Sequence, residues 1–310
     1  MKQLSLVAAL SLIVACAGSS TERTPTKAAA QMEKSDNKLA NQYEQECNAG
    51  LQDAKGQFEA LEQVQGDKTV ATVLIPLNQL RMTIDYGVNR AGLFGAVHPD
   101  QAVRDAADTC EQEYRKLITS ISLSRPLYDA VSVVDVSNED EVTQRYFTHI
   151  LRDFRRFGID KDEATRSRVR KLTDELVRIG QAFGKNIRSS VRSIEVDSVS
   201  ALEGLPQDYI DAHKPAANGK ITLTTNYPDY IPFMTYAKDD AIRFKLYKEF
   251  RKRGYPENGA VLDSLLAKRH ELSTLLGYKN WAHYITEDKM IKTETAARDS
   301  CKTSDGQLSS

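Results

Sequence analysis

Apolar residues recur every three or four positions through most of this chain, and that spacing commits it to helices packed on helices. Leu39, Tyr43, Cys47, Leu51, Ala54, Phe58 and Leu61 form one stripe, because a turn of 3.6 residues brings such positions to one face. The stripe predicts a helix from about Lys34 to Gln65, stopped by Gly66-Asp67. Thr69 can cap a second helix, with Val73, Leu77, Leu80, Ile84, Val88 and Ala91 facing inward. Pro76 lies inside that stripe without an N–H to donate, which predicts a kink or an entry bend. Gly92 and Gly95 are expected to end this helix. Pro99 suits the first turn of a third, whose inward residues are Val103, Ala107, Cys110, Tyr114, Leu117 and Ile121. Short connections make these three helices antiparallel neighbours.

The same grammar continues. Asn138 with Glu141, and Asp160 with Glu163, stand in the capping-box relation before two more helices. The second carries Val169, Leu172, Leu176, Ile179, Phe183 and Ile187 on one face. The pattern changes between Lys220 and Asn226, where Ile221 and Leu223 alternate with Thr222 and Thr224, a strand signal. Tyr227 to Met234, with three aromatics and two prolines, is expected to run extended. Helices are predicted again at Asp240–Arg253 and Ala260–Leu276, with Gly277 as the C-terminal stop and a last helix starting near Asn280. The fold class is therefore all-α, with one short β segment near 220–226.

The first residues read as something other than fold. Lys2 precedes an apolar stretch from Leu4 to Ala15, too short to span a bilayer, which takes about 20 residues. It fits an export signal over residues 1–15. Its end, Ile13-Val14-Ala15-Cys16, resembles a bacterial lipoprotein signal in which the cysteine is acylated. Residues 16–33 read as a flexible tether. The expectation is a chain anchored to the lipid bilayer through Cys16 in the cell envelope, at the outer membrane and facing the periplasm.

Charge narrows the functions. Lys and Arg number 42 against 43 Asp and Glu, a net charge of −1, so no basic field draws the chain to nucleic acid. The basic residues from Arg152 to Arg178 are interleaved with Asp153, Asp162, Glu163, Asp174 and Glu175, the pattern of a solvated helix surface. No phosphate-cradling glycine loop and no nucleophile elbow occurs. His270-Glu271-Leu272-Ser273-Thr274 comes one residue short of HExxH. In that motif two imidazoles one turn apart share a zinc ion, and a threonine hydroxyl at the second position is a poor substitute. His270 is thus a surface or packing residue. Cys47 and Cys110 fall on inward stripes of helices expected to be neighbours, which in an exported protein permits a disulfide and otherwise leaves two buried thiols. Cys301 has no evident partner.

Five segments in series carry a resemblance: Arg152 to Ile159 (RDFRRFGI), Gly180 to Ile187 (GQAFGKNI), Leu202 to Pro206 (LEGLP), Thr224 to Pro232 (TTNYPDYIP) and Arg269 to Lys279 (RHELSTLLGYK). From about residue 35 to residue 297 the chain resembles the N-terminal half of the M3 zinc metallopeptidases, the family of thimet oligopeptidase and neurolysin. The resemblance implies an almost wholly helical enzyme with a deep channel that cuts short unstructured peptides with zinc. The family's zinc ligands and catalytic glutamate lie downstream of the matched part, so it places no catalytic, cofactor-binding or metal residue on this chain. Residues 34–297 are expected to form the family's helical N-terminal region. Arg298 to Ser310 departs from it as a polar, loop-like tail. The expected function is that of a truncated metallopeptidase, inactive alone because its C-terminal zinc half is missing. The alternatives are a membrane-anchored helical peptide-binding module, or a subunit completed by a separately encoded zinc domain.

Overall fold

The structure, a computed structural model, describes residues 27–308. Three long helices, α1 (Lys27–Glu62), α2 (Ile75–Val97) and α3 (Gln101–Ser122), pack side by side through the stripes read above. Every inward residue assigned to α2 and α3 is buried. On α1 Leu39 is 47% exposed and Ala40 takes its place, because Leu39 sits roughly 80° from the stripe's centre at 100° per residue. The helix also starts at Lys27, inside the expected tether. Ala28, Ala29 and Ala30 form no stripe, but alanine is the strongest helix former. The expected signal, Cys16 and the tether up to residue 26 lie outside the described residues.

The helix changes character next to Pro76. A five-residue π-helical turn, Val70–Leu74, precedes α2. It is held by a reciprocal cap, with Thr72 N–H donating to Thr69 Oγ1 at 3.2 Å and Thr69 N–H to Thr72 Oγ1 at 2.9 Å. Pro76 then stands in the first turn of α2, where its missing N–H breaks no bond. Gly92 and Gly95 do not end the helix; Gly95 is buried inside it, and a Cβ there would lie 2.6 Å from Asp108 Oδ1 on α3. A tighter slot lies nearby. The Tyr114 ring enters between Gly50 of α1 and Gly87 of α2, where a Cβ would come within 2.5 Å of the hydroxyl and 2.2 Å of Cζ, respectively. Cys47 and Cys110 are joined by a disulfide that ties α1 to α3.

Helix α4 (Arg125–Ser132) has no counterpart in the sequence reading. Ser124 caps it, accepting from Leu127 N–H at 3.2 Å and donating to Glu62 Oε1 at 2.5 Å, so the cap also holds the end of α1. Helices α5 (Glu141–Arg156) and α6 (Glu163–Ser189) are capped by Asp140 and Asp162, each two residues beyond the expected Asn138 and Asp160. Asp140 and Asp162 accept from the N–H of Thr143 and Thr165 at 2.7 and 2.8 Å. Those backbone bonds hold both carboxyls below the usual carboxylate range. Helices α1 to α5 share the first core.

The second core lies around the small sheet. Strand β1 (Ser193–Val196) pairs antiparallel with β2 (Ile221–Thr224), with Ile194 opposite Leu223 and Val196 opposite Ile221, all four buried. Helices α7 (Gln207–Ala212), α8 (Tyr227–Tyr236) and α9 (Asp240–Arg251) cover it. The stretch from Tyr227 to Met234 is therefore helical rather than extended. Pro228 lies in the first turn of α8, and Tyr230 and Phe233, one turn apart, bury the aromatic side. In α10 (Asn258–Leu275), Leu272 is buried, as is Leu276 just beyond its end, both in a third core with Val169 and Leu172 of α6. Leu262 and Leu266 remain exposed on the outer side of α10. Short α11 (Trp281–Thr286) follows an Asn280 cap, and α12 (Glu294–Leu308) turns the expected loop-like tail into a helix. The fold is all-α with one minor β element.

Candidate functional site

Helix α3 has two working faces. Cys110, Tyr114 and Leu117 point into the first core, leaving Asp108, Glu111 and Arg115 on an adjoining flank at steps of three and four, with Ile118 touching both the core and the groove. That flank faces α6. A groove of about 560 Å³ opens between them, closed on its far side by α10 and α11. Leu176, Leu265, Leu272 and Trp281 supply apolar wall, and Arg269 lies over the Trp281 ring at 5.2 Å.

Hydrogen bonds across the groove set its spacing. Gln181 Nε2 of α6 donates to the Asp108 carbonyl at 2.9 Å and to Glu111 Oε2 at 3.1 Å, and Gln181 Oε1 accepts from Gln112 at 2.7 Å. Lys185 pairs with Asp105 at 2.7 Å, and Arg188 lies 3.8 Å from Asp108. Burial pushes the Asp108 carboxyl up, against the opposing pull of Arg188 and Lys185. On the other side Asn186 donates to Asn258 at 2.9 Å, Asn258 donates to the Phe183 carbonyl at 3.1 Å, and Lys268 pairs with Glu175 at 2.7 Å. Leu176, Ile179, Phe183 and Ile187 are half-buried on α6, and of the four Leu176 lines the groove.

One end of the groove is fixed by Arg156 of α5. Its side chain is 9% exposed, donates to the Tyr284 carbonyl at 2.9 Å and to the Glu287 carboxylate, and lies 4.8 Å from the Tyr284 ring centroid. Tyr278 donates to the same Glu287 at 2.7 Å. Burial and that carboxylate push the Tyr278 phenol up.

The arrangement can hold an extended apolar chain, but it offers no reacting pair. His270 and Thr274 are both exposed on α10, and no His, Cys, Asp and Glu group among the described residues could hold a metal ion. The described residues therefore do not fit a catalytic zinc. His213 is committed elsewhere, with Nδ1 2.8 Å from the Tyr209 carbonyl and Nε2 3.2 Å from Asp229. The sequence reading assigned no catalytic residue. It also missed the groove residues Asp108, Glu111, Arg115 and Trp281, although the second stripe on α3 was there to be read.

A helical protein with a groove between its helix layers is the class that fold and site define. Comparison with known proteins narrows it. The model of peptidase family M3 matches residues 233–309. Organellar oligopeptidase A, chloroplastic/mitochondrial, of Arabidopsis thaliana is 27% identical over 269 residues, covering 80% of this chain and 34% of the relative. The probable cytosolic oligopeptidase A of the same plant is 25% identical over 268 residues, 79% of this chain and 38% of the relative. Oligopeptidase A of Salmonella typhimurium is 30% identical over 156 residues, 46% of this chain and 23% of the relative. The chain is similar to M3 peptidases of the oligopeptidase A type, and it spans about a third of the length of the first two relatives. The match continues through residue 309, beyond the expected break at Arg298.

These relatives correct the expected location. An outer-membrane, lipid-anchored site conflicts with plant relatives named for organelles and cytosol that align with about four-fifths of the chain. No helix among the described residues is long and apolar enough to cross a membrane.

Proposed function

We propose that this chain is the helical, peptide-holding part of an M3-type oligopeptidase, and that it cuts no peptide bond by itself. The groove between α3, α6, α10 and α11 carries the reading. Its apolar wall suits the side chains of a short unstructured peptide, and its charged edge suits the polar backbone, within the size range of ordinary ligand sites. The absence of HExxH from the 310 residues supports the second half of the proposal. Zinc chemistry, which would polarise the scissile carbonyl in the family, is assigned to no residue here.

Trp281 is the single tryptophan and lines the groove, so its fluorescence reports occupancy. A short unstructured peptide should shift the emission saturably, while a folded protein of similar composition should not. Leu176→Arg, which puts a charge into the wall, should weaken the response at least tenfold. No saturable response to a panel of short peptides would sink the peptide-holding reading. Chelator-sensitive hydrolysis with stoichiometric zinc would sink the claim of inactivity.

A further inference from the structure

Phe157 and Tyr284 line the groove on one side and a second cavity, of about 370 Å³, on the other. Residues of α2, α3, α5 and α11 enclose it, with Leu77, Leu80, Ile84, Ile121, Ile150 and Phe154 as its apolar lining. Its acidic and basic side chains are Arg81, Asp85, Asp153, Arg156 and Asp288. Most have partners. Arg156 is committed to Glu287 and the Tyr284 carbonyl, and Asp153 accepts from Arg152 at 2.7 and 3.0 Å. Asp288 Oδ2 accepts from Lys289 at 3.1 Å.

Asp288 Oδ1 differs. It is a buried oxygen that accepts no hydrogen bond among the described residues, with Arg156 Nη2 standing off at 3.5 Å. Burial works to raise this carboxyl, but Lys289 and Arg156 outweigh it and hold it below the usual range. An ionised carboxylate can only accept, so whatever completes Oδ1 must bring an N–H or O–H. Buried polar atoms are otherwise almost always satisfied.

We propose that this cavity binds a small amphiphilic amine, its N–H donating to Asp288 Oδ1 and its hydrocarbon part lying against Leu80, Ile84, Ile121 and Phe154. The volume falls at the lower end of ligand sites, and the combination of apolar walls with few polar groups is their usual make-up. Asp153 is paired with Arg152, and Asp288 with Lys289 and, more loosely, Arg156, which leaves Asp85 against Arg81 in the lining. An anionic head brings only acceptors and leaves Oδ1 without a donor, so a head group that carries N–H is favoured over an anionic one. The site is separate from the peptide groove and does not depend on the peptidase reading.

Titration calorimetry of the purified chain with 4-phenylbutylamine, and with 4-phenylbutyrate as its matched anion, tests this. The amine should bind one to one and the anion at least tenfold more weakly, a comparison that needs no variant. Asp288→Asn should weaken the amine at least tenfold. Ile285→Trp should abolish binding, because Ile285 lines the cavity and, at 38% exposure, stands at its opening; circular dichroism checks that both variants keep their helix. No saturable amine binding to the unaltered chain, equal binding of the anion, or undiminished binding to folded Ile285→Trp would each overturn the proposal.

Discussion

A methyl group placed on Gly87 should destabilise the protein, although alanine is the better helix former. Replacing an interior helical glycine by alanine contributes about 1 kcal/mol of helix propensity. At Gly87 the new Cβ would lie 2.2, 2.5 and 2.6 Å from Cζ, Cε2 and Cε1 of Tyr114, and a rigid ring cannot fold away as a flexible chain end can. The ring cannot simply retreat, because its hydroxyl already sits against Gly50 on α1. Overpacking of a close-packed core costs about 1–3 kcal/mol, and a clash this close with a rigid ring lies at the upper end, so the net loss should approach about 2 kcal/mol after the propensity gain. Gly92 on the same helix has nothing within 4 Å of an added Cβ, so Gly92→Ala should stabilise by about 0.5–1 kcal/mol. Urea denaturation followed by circular dichroism, read as a change in midpoint at constant slope, measures both. Opposite signs are expected for the two alanines. Equal stabilisation by both would refute the slot argument, because propensity alone would then account for the data.

Removing the disulfide with Cys47→Ala and Cys110→Ala frees a closed loop of sequence separation 63 and should cost about 4 kcal/mol by the loop-entropy relation, measured by denaturation of the variant against the oxidised chain. The capping carboxylates Asp140 and Asp162 have lowered folded-state pKa values, so their stabilisation is complete above an unfolded carboxyl value of about 4 and is lost as pH falls through the folded values. Asp162→Asn should flatten the acid limb of the stability–pH curve; an unchanged limb would rule out this cap as a contributor. Arg156→Met should leave the Glu287 carboxylate without its guanidinium, costing about 2 kcal/mol, less than for a fully buried pair because Glu287 is 45% exposed, with limited proteolysis showing earlier cleavage at α11.

The three long helices were legible because each repeats one face over many turns, so that a single misplaced residue such as Leu39 does not disturb the pattern. Short elements gave too few repeats. β1 offers only Ser-Ile-Glu-Val, and its pairing with Ile221–Thr224 depends on a partner 28 residues away. The Tyr227–Met234 stretch misled because aromatic residues favour strands on average, while the Pro228 position and the Tyr230–Phe233 step specify a helix turn. The groove was only half visible. The second flank of α3 could be read from spacing, but Trp281 and Arg269 meet it through tertiary packing that no local pattern encodes.

Helix α6 has a mechanical consequence. Its 27 residues make a rod of about 40 Å, and the chain passes from the first core to the second along it. The two cores share no residue, and between them Val169 and Leu172 of α6 pack with Leu123, at the end of α3, in the third. The crosslinks of α6 to α3, Gln181 to Asp108 and Lys185 to Asp105, are polar and replaceable by water. The groove runs along that third core, whose Val169, Leu272 and Leu276 line it, so its width is set by how α6 and α10 sit against α3 rather than by the packing of the first or second core.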